Sequence, residues 1–139
     1  MSLYVFDTDS LSLLHRGHPA VSQRAVSHPD TDLALTVISV EEQLTGWYAR
    51  VRRARLPDEI ARAYQSLTDC VRRFARWQIL SFTEPAVHRF DRLRALKLNI
   101  GRMDLHIAAI TLEHGGIVVT RNLRDFQRVP GLQVEDWSV

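Results

Sequence analysis

Four short apolar runs punctuate the chain: Leu3-Tyr4-Val5-Phe6, Leu33-Ala34-Leu35-Thr36-Val37-Ile38, Ile79-Leu80-Ser81-Phe82 and Ile117-Val118-Val119-Thr120. A stretch of helical periodicity follows each of the first three, and a further short run, Leu132–Glu135, follows the fourth. Runs of this length are too short for core helices and suit strands buried on both faces. Strands alternating with helices predict an α/β domain, a parallel sheet with helices covering both faces. At 139 residues the chain is read as a single domain over 1–139.

The helical segments carry their own punctuation. Ser10–His15 reads as a short helix stopped near Gly17 and Pro19, and Ala20–Ser27 as a second that ends before Pro29. Ser39 stands three residues before Glu42, the spacing of a capping box, and Val40, Leu44, Trp47/Tyr48 and Val51 then share a face. Leu56-Pro57-Asp58 breaks that helix and starts another, in which Ile60, Tyr64, Leu67, Val71 and Phe74 form the expected inward stripe. Thr83-Glu84-Pro85 opens a helix through about Leu98, and Asn99-Ile100-Gly101 forms a turn. Met103–His114 is apolar nearly all round, which predicts burial on more than one side.

Charge is segregated along the chain. Segment 50–76 holds eight arginines against Asp58, Glu59 and Asp69, and 89–102 holds five basic residues against Asp91. The net charge of +2 therefore hides basic stretches and an acidic remainder. Seventeen of the eighteen basic residues are arginine, whose planar fork suits phosphate and carboxylate. From this clustering Arg50, Arg53, Arg72, Arg73 and Arg76 are the expected contacts to a nucleic-acid backbone or a protein partner. Cys70 is the only cysteine, so an internal disulfide and a four-cysteine zinc site are both excluded. No apolar run approaches bilayer length and no secretory leader is evident, so the cytoplasm is the expected compartment and no membrane partner is expected.

In open parallel sheets the site lies beyond the carboxyl ends of the strands. Asp7 and Asp9 follow the first strand, Glu41 and Glu42 the second, and Thr120, Asn122 and Asp125 the fourth. Asp104 opens the buried helix that feeds the fourth strand and so belongs to the same edge. Asp7, Glu42, Asp104 and Asp125 can thus converge from distant positions. Asp104 stands on an apolar helix, where it either serves a site or complements the helix dipole. Clustered carboxylates repel unless protons or a cation intervene, and oxygen-only ligands favour magnesium or manganese. Such a centre suits hydrolysis of a phosphodiester. Thr120 and Asn122 are placed to orient the carboxylates by hydrogen bonds, Asp9 is read as a helix N-cap, an outer-shell ligand or a fifth acid that tightens metal binding, and no histidine is given a catalytic role.

These residues resemble PIN-domain ribonucleases of the VapC toxin type. The matching blocks are Phe6-Asp7-Thr8-Asp9, Val37 to Gly46, Ile100 to Ala109, and Val119 to Phe126 with Val129-Pro130-Gly131-Leu132 and Trp137. The resemblance implies a three-layer α/β/α fold around a mostly parallel sheet of four to five strands. It implies a Mg2+- or Mn2+-dependent endoribonuclease with Asp7 and Asp104 as principal metal ligands and Glu42 and Asp125 completing the catalytic quartet. Glu42 is preferred to Glu41 because it stands four residues before Gly46, as in the family. A small cognate antitoxin of the VapB kind and a homodimer are the implied partners, with RNA as substrate. The family commonly has Asn where this chain has Asp9.

Other classes fit less well. Asp7-x-Asp9 is also found in haloacid-dehalogenase-type phosphatases, but these need a lysine near the phosphate, and Lys97 is the only lysine. A receiver domain wants a lysine after its last strand, where Thr120-Arg121-Asn122 has none. A degenerate PIN domain acting only as an RNA- or protein-binding module gains nothing from four mutually repelling acids.

Overall fold

The computed structural model describes residues 2–139. Five strands, β1 (Tyr4–Phe6), β2 (Leu33–Thr36), β3 (Gln78–Leu80), β4 (Ile117–Val119) and β5 (Gln133–Glu135), form one sheet in the order β3-β2-β1-β4-β5. Every adjacent pair is parallel, with Phe6 opposite Leu35 on one side and Val119 on the other.

Side-chain alternation divides the core into two layers. Val5, Ala34, Leu80 and Val118 face α5 (Glu84–Ala95) and α6 (Arg102–Glu113), joining Phe90, Leu93 and the run Ile107–Ile110. Phe6, Leu35 and Val119 face the opposite way, onto α1 (Thr8–His15), α2 (Pro19–Val26) and the last turns of α4 (Pro57–Phe74). Trp137, 1% exposed, closes this second layer against Phe6 and His28. The result is the expected helix–sheet–helix sandwich, and α6 is buried from Leu105 to Thr111.

Several boundaries differ from the sequence reading. The second strand ends at Thr36, and α3 (Val37–Arg53) begins there with Thr36 as N-cap. Ser39 and Glu42 therefore lie inside the helix and make no capping box; both turn toward Thr8 instead. The third strand stops at Leu80, leaving Phe82 to pack its ring on Phe90 and His106. A short helix α7 (Leu123–Phe126) follows β4 and was not foreseen. In α4 only Cys70 and Phe74 are buried; Ile60, Tyr64 and Val71 are 37, 54 and 52% exposed. The helix packs along α3 and reaches the sheet core only with its last turns, so most of its apolar stripe has no internal partner.

The turn that aims β4 at the site depends on two glycines. Gly115 takes φ +63° just after α6, a conformation that an L side chain resists. A Cβ on Gly116 would sit 3.1 Å from both Leu3 O and Val5 Cγ2. Gly116→Ala is therefore expected to cost about 1–3 kcal/mol by overpacking against backbone. Urea unfolding checks this; a midpoint equal to wild type would show that β1 yields freely there.

Candidate metal centre

The chain crosses from β3 at one edge to β4 on the far side of β1, which places the topological switch between β1 and β4. From the carboxyl end of β1 it turns into one helical layer through Leu11 and Leu13. After β4 it turns into the other through Phe126 and Val129. A cleft opens where they part, with a cavity of about 580 Å³ lined by Asp7, Asp9, Glu42 and Asp104 together with Arg121 and Asn122. Four acids from three separate stretches of sequence thus share one pocket.

Asp7 is 5% exposed and is held from several sides. It caps α1, its Oδ1 accepting from the Ser10 amide at 2.8 Å, and its own amide donates to Val119 O. Burial raises its pKa above the ordinary carboxylate value; the Thr120 and Ser10 hydroxyls and the Ser10 amide oppose that rise, and the charge of Asp9 adds to it. The capping role expected of Asp9 therefore falls to Asp7. Asp9 lies in the first turn of α1, two residues past the capping position, and pairs with Arg121 through two bonds of 2.8 and 3.0 Å.

Glu42 reaches the pocket from the second turn of α3, where its Oε1 accepts from the Thr8 hydroxyl at 2.8 Å. That hydroxyl also lies 3.0 Å from the Ser39 hydroxyl, so Thr8 ties α1 to α3. Glu41 does not line the pocket. Asp104, in the first turn of α6, is pushed up to a pKa of about 6. Burial is the largest cause, followed by the charges of Asp7, Glu42 and Asp125, while Asn122 lowers it. Asp125 stands behind Asn122 rather than in the pocket wall. Its Oδ2 accepts from Asn122 Nδ2 at 2.9 Å, and its Oδ1 pairs with Arg128 at 3.2 Å. Thr120, fully buried, accepts from the Asn122 amide at 2.9 Å and faces Asp7. Asn122 thereby bonds Asp125 and favours the charged form of Asp104.

Among the described residues no three acid, histidine or cysteine side chains are already gathered around a common point. The acids stand around the pocket on separate partners: Thr8 for Glu42, Arg121 for Asp9, Asn122 and Arg128 for Asp125. Among the described residues Asp7, Glu42 and Asp104 pair with no cation, and Asp104 feels three like charges. An uncompensated, half-buried carboxylate facing other carboxylates, with oxygen as the only donor type, fits a hard divalent cation. Asp7, Glu42 and Asp104 are the side chains that would hold it, with Asp125 coupled to them through Asn122.

The five arginines singled out from sequence are not gathered at one place. Arg50 and Arg73 line a second cavity that adjoins the acid pocket, and Arg53 lies farther along α3 beside Glu59. Arg72 is exposed beside Arg73, and Arg76 lies near Trp77 and Leu14. Thr8, Arg121 and Arg128 were missed by the sequence reading. Thr8 had one available signal, its place between two acids at a strand end; the arginines had none, because their partners are distant in sequence or across a turn. No histidine lines the acid pocket, and neither does Lys97 at the end of α5.

The comparisons agree with this architecture. The PIN domain family model matches residues 4–132. Ribonuclease VapC1 of Haemophilus influenzae is 25% identical over 98% of both chains. A DNA-bound VapBC structure from Salmonella typhimurium superposes with a TM-score of 0.77 at 23% identity over 99% of both chains. A toxin–antitoxin complex from Klebsiella pneumoniae gives 0.69 at 22% identity over 93% of this chain and 94% of its own. With acids at the β1/β4 switch of a five-stranded parallel sheet and a family match over nearly its whole length, this chain belongs to the PIN domain family.

Proposed function

We propose that this protein is a divalent-metal-dependent endoribonuclease and the toxin of a toxin–antitoxin pair. One observation carries the proposal. Asp104 is raised to about 6 by burial and by the charges of Asp7, Glu42 and Asp125, an unfavourable arrangement that a bound cation would relieve. The names of the similar proteins supply the substrate class, ribonucleic acid, and the partner class, an antitoxin. A homodimer is part of the same reading.

Hydrolysis of a phosphodiester joins a water oxygen to phosphorus, breaks one P–O ester bond and leaves a proton on the departing oxygen. Magnesium or manganese would supply charge neutralisation at the phosphate and a more acidic water. The chain's own residues do the rest. Ser10 holds Asp7, Thr8 holds Glu42 and Asn122 holds Asp125 by hydrogen bonds, so three of the four carboxylates are oriented before substrate arrives, and Asn122 and Thr120 favour the charged forms of Asp104 and Asp7. The Asp9–Arg121 pair at the pocket wall keeps one further acid from adding its full charge. For the antitoxin, the exposed stripe of Ile60, Tyr64 and Val71 on α4 offers an apolar surface.

The test is cleavage of RNA by the purified chain in manganese and in EDTA, with and without the product of the adjacent reading frame. Cutting in manganese alone, suppressed by that partner, is expected. Equal cutting in EDTA would remove the metal from the account.

A further inference from the structure

A second cavity, again of about 580 Å³, adjoins the acid pocket and shares Thr8, Ser12 and Glu42 with it. Its character is opposite. Arg16 at the end of α1, Arg50 on α3 and Arg73 on α4 all line it, with Glu42 as the one acid of the shared wall. Among the described residues none of the three arginines forms an ion pair, although six other arginines do. Arg73 Nε is buried and donates to nothing. Arg73 nonetheless lines the cavity with no carboxylate to pair it, which leaves its charge for an anion from outside. Arg50 lies 4.7 Å over the Trp47 ring, which holds its guanidinium in place before any ligand arrives. His15, in the same lining, has its pKa lowered by burial and by the charge of Arg73, so it presents a neutral ring there.

We propose that this cavity holds the phosphodiester next to the scissile one, with Arg73, Arg50 and Arg16 as its binding residues. The proposal rests on the ribonuclease reading for its substrate. A strand with one phosphate over the acids must carry a neighbouring phosphate across a wall of that pocket, and the wall of Thr8, Ser12 and Glu42 leads to the arginines. Acids serve the phosphate that needs a cation, and arginines serve the one that does not. Guanidinium forks grip such an anion without regard to base identity. A glutamate-rich segment of a protein partner offers a similar charge, but nothing would then place it beside the acid pocket rather than elsewhere on the basic surface.

The test measures binding, so it does not depend on cleavage. A fluorescein-labelled twelve-residue oligouridine is titrated by anisotropy in EDTA across a salt series, with wild type, Arg73→Gln, Arg50→Gln and Arg72→Gln. Arg72 is adjacent in sequence, equal in charge and outside the cavity. Loss of one phosphate contact on a single strand should lower the slope of log affinity against log salt by about 0.7. Arg73→Gln and Arg50→Gln should each show that drop and bind severalfold more weakly, while Arg72→Gln keeps the wild-type slope. Arg50 is exposed, so its variant tests the idea even if Arg73→Gln folds poorly. Equal losses at Arg72 and Arg73 would reduce the cavity to part of a diffuse field and overturn the proposal. So would unchanged RNA binding accompanied by weaker binding of an oligoglutamate peptide. Failure of the ribonuclease reading shows separately, as absence of cleavage in manganese.

Discussion

Asp104→Asn is expected to fold, to become more stable without metal, and to lose RNA cleavage by on the order of a hundredfold or more. Outer-shell changes at metal sites already cost 10- to 100-fold, and Asp104 is placed inside that shell. The gain in stability follows from its raised pKa, from 3.8 to about 6. Between those values the folded state binds more protons than the unfolded state, so stability falls as pH rises through about 4 to 6. The deficit is complete above about 6. Asp104 is only half buried, so after solvent screening the penalty is about 1 kcal/mol. Asparagine removes it, less a few tenths for lost interaction with the α6 dipole. At pH 7.5 in EDTA the variant should melt about 2–3 °C above wild type, and well below the unperturbed value of 3.8 the two should coincide. A variant that cleaves at the wild-type rate would place the chemistry elsewhere.

Manganese should raise the melting temperature of wild type by about ten degrees. A ligand at a hundred times its dissociation constant that binds only the native state adds about 2.7 kcal/mol, which for a domain of this length is a shift of that size. The shift should shrink toward pH 5, where protons compete for Asp104 and Asp7, both raised above their ordinary values. Asp7→Asn should also lose most of it. Asparagine still caps α1, so loss of the shift would report on ligation rather than on a broken helix start. A wild-type melting temperature unmoved by saturating manganese would contradict the metal centre.

The layered fold was legible because its signals are local and strong. Short apolar runs must be strands when helices of clear periodicity separate them, and α6 declared its burial by being apolar nearly all round. Strand order is not local: the placement of β4 beside β1 rests on crossovers that no single segment encodes. The errors have a common cause. Ser39 and Glu42 match a capping box, yet the helix starts at Val37 and both side chains turn to Thr8 on another helix. Ile60, Tyr64 and Val71 match a core stripe, yet α4 leans on α3 and leaves them exposed. Asp7 and Asp9 are interchangeable as caps by residue type; the start of α1 at Thr8 decides for Asp7. Periodicity and spacing say which residues share a face, not what that face meets.

At the site, the position of each acid relative to a strand end was enough to bring Asp7, Glu42 and Asp104 to one pocket. Asp125 was placed on the same edge, but the bonds that draw it behind Asn122 involve Arg128, three residues farther on, and are fixed only once α7 forms. The separation of basic from acidic stretches pointed to Arg50 and Arg73. It could not distinguish them from Arg72 and Arg76, because charge clustering carries no information about which side of a helix borders a cavity.

Direct binding of manganese, followed by the loss of the free-ion electron paramagnetic resonance signal at pH 7.5, tests the central claim with no substrate in the way. Wild type should remove the ion from solution saturably. Asp7→Asn and Asp104→Asn should each bind at least tenfold more weakly, while Asp125→Asn, whose carboxylate is held by Asn122 and Arg128, should lose less. A free-ion signal undiminished by wild-type protein, or equal binding by all four proteins, would mean that these acids do not form a metal centre.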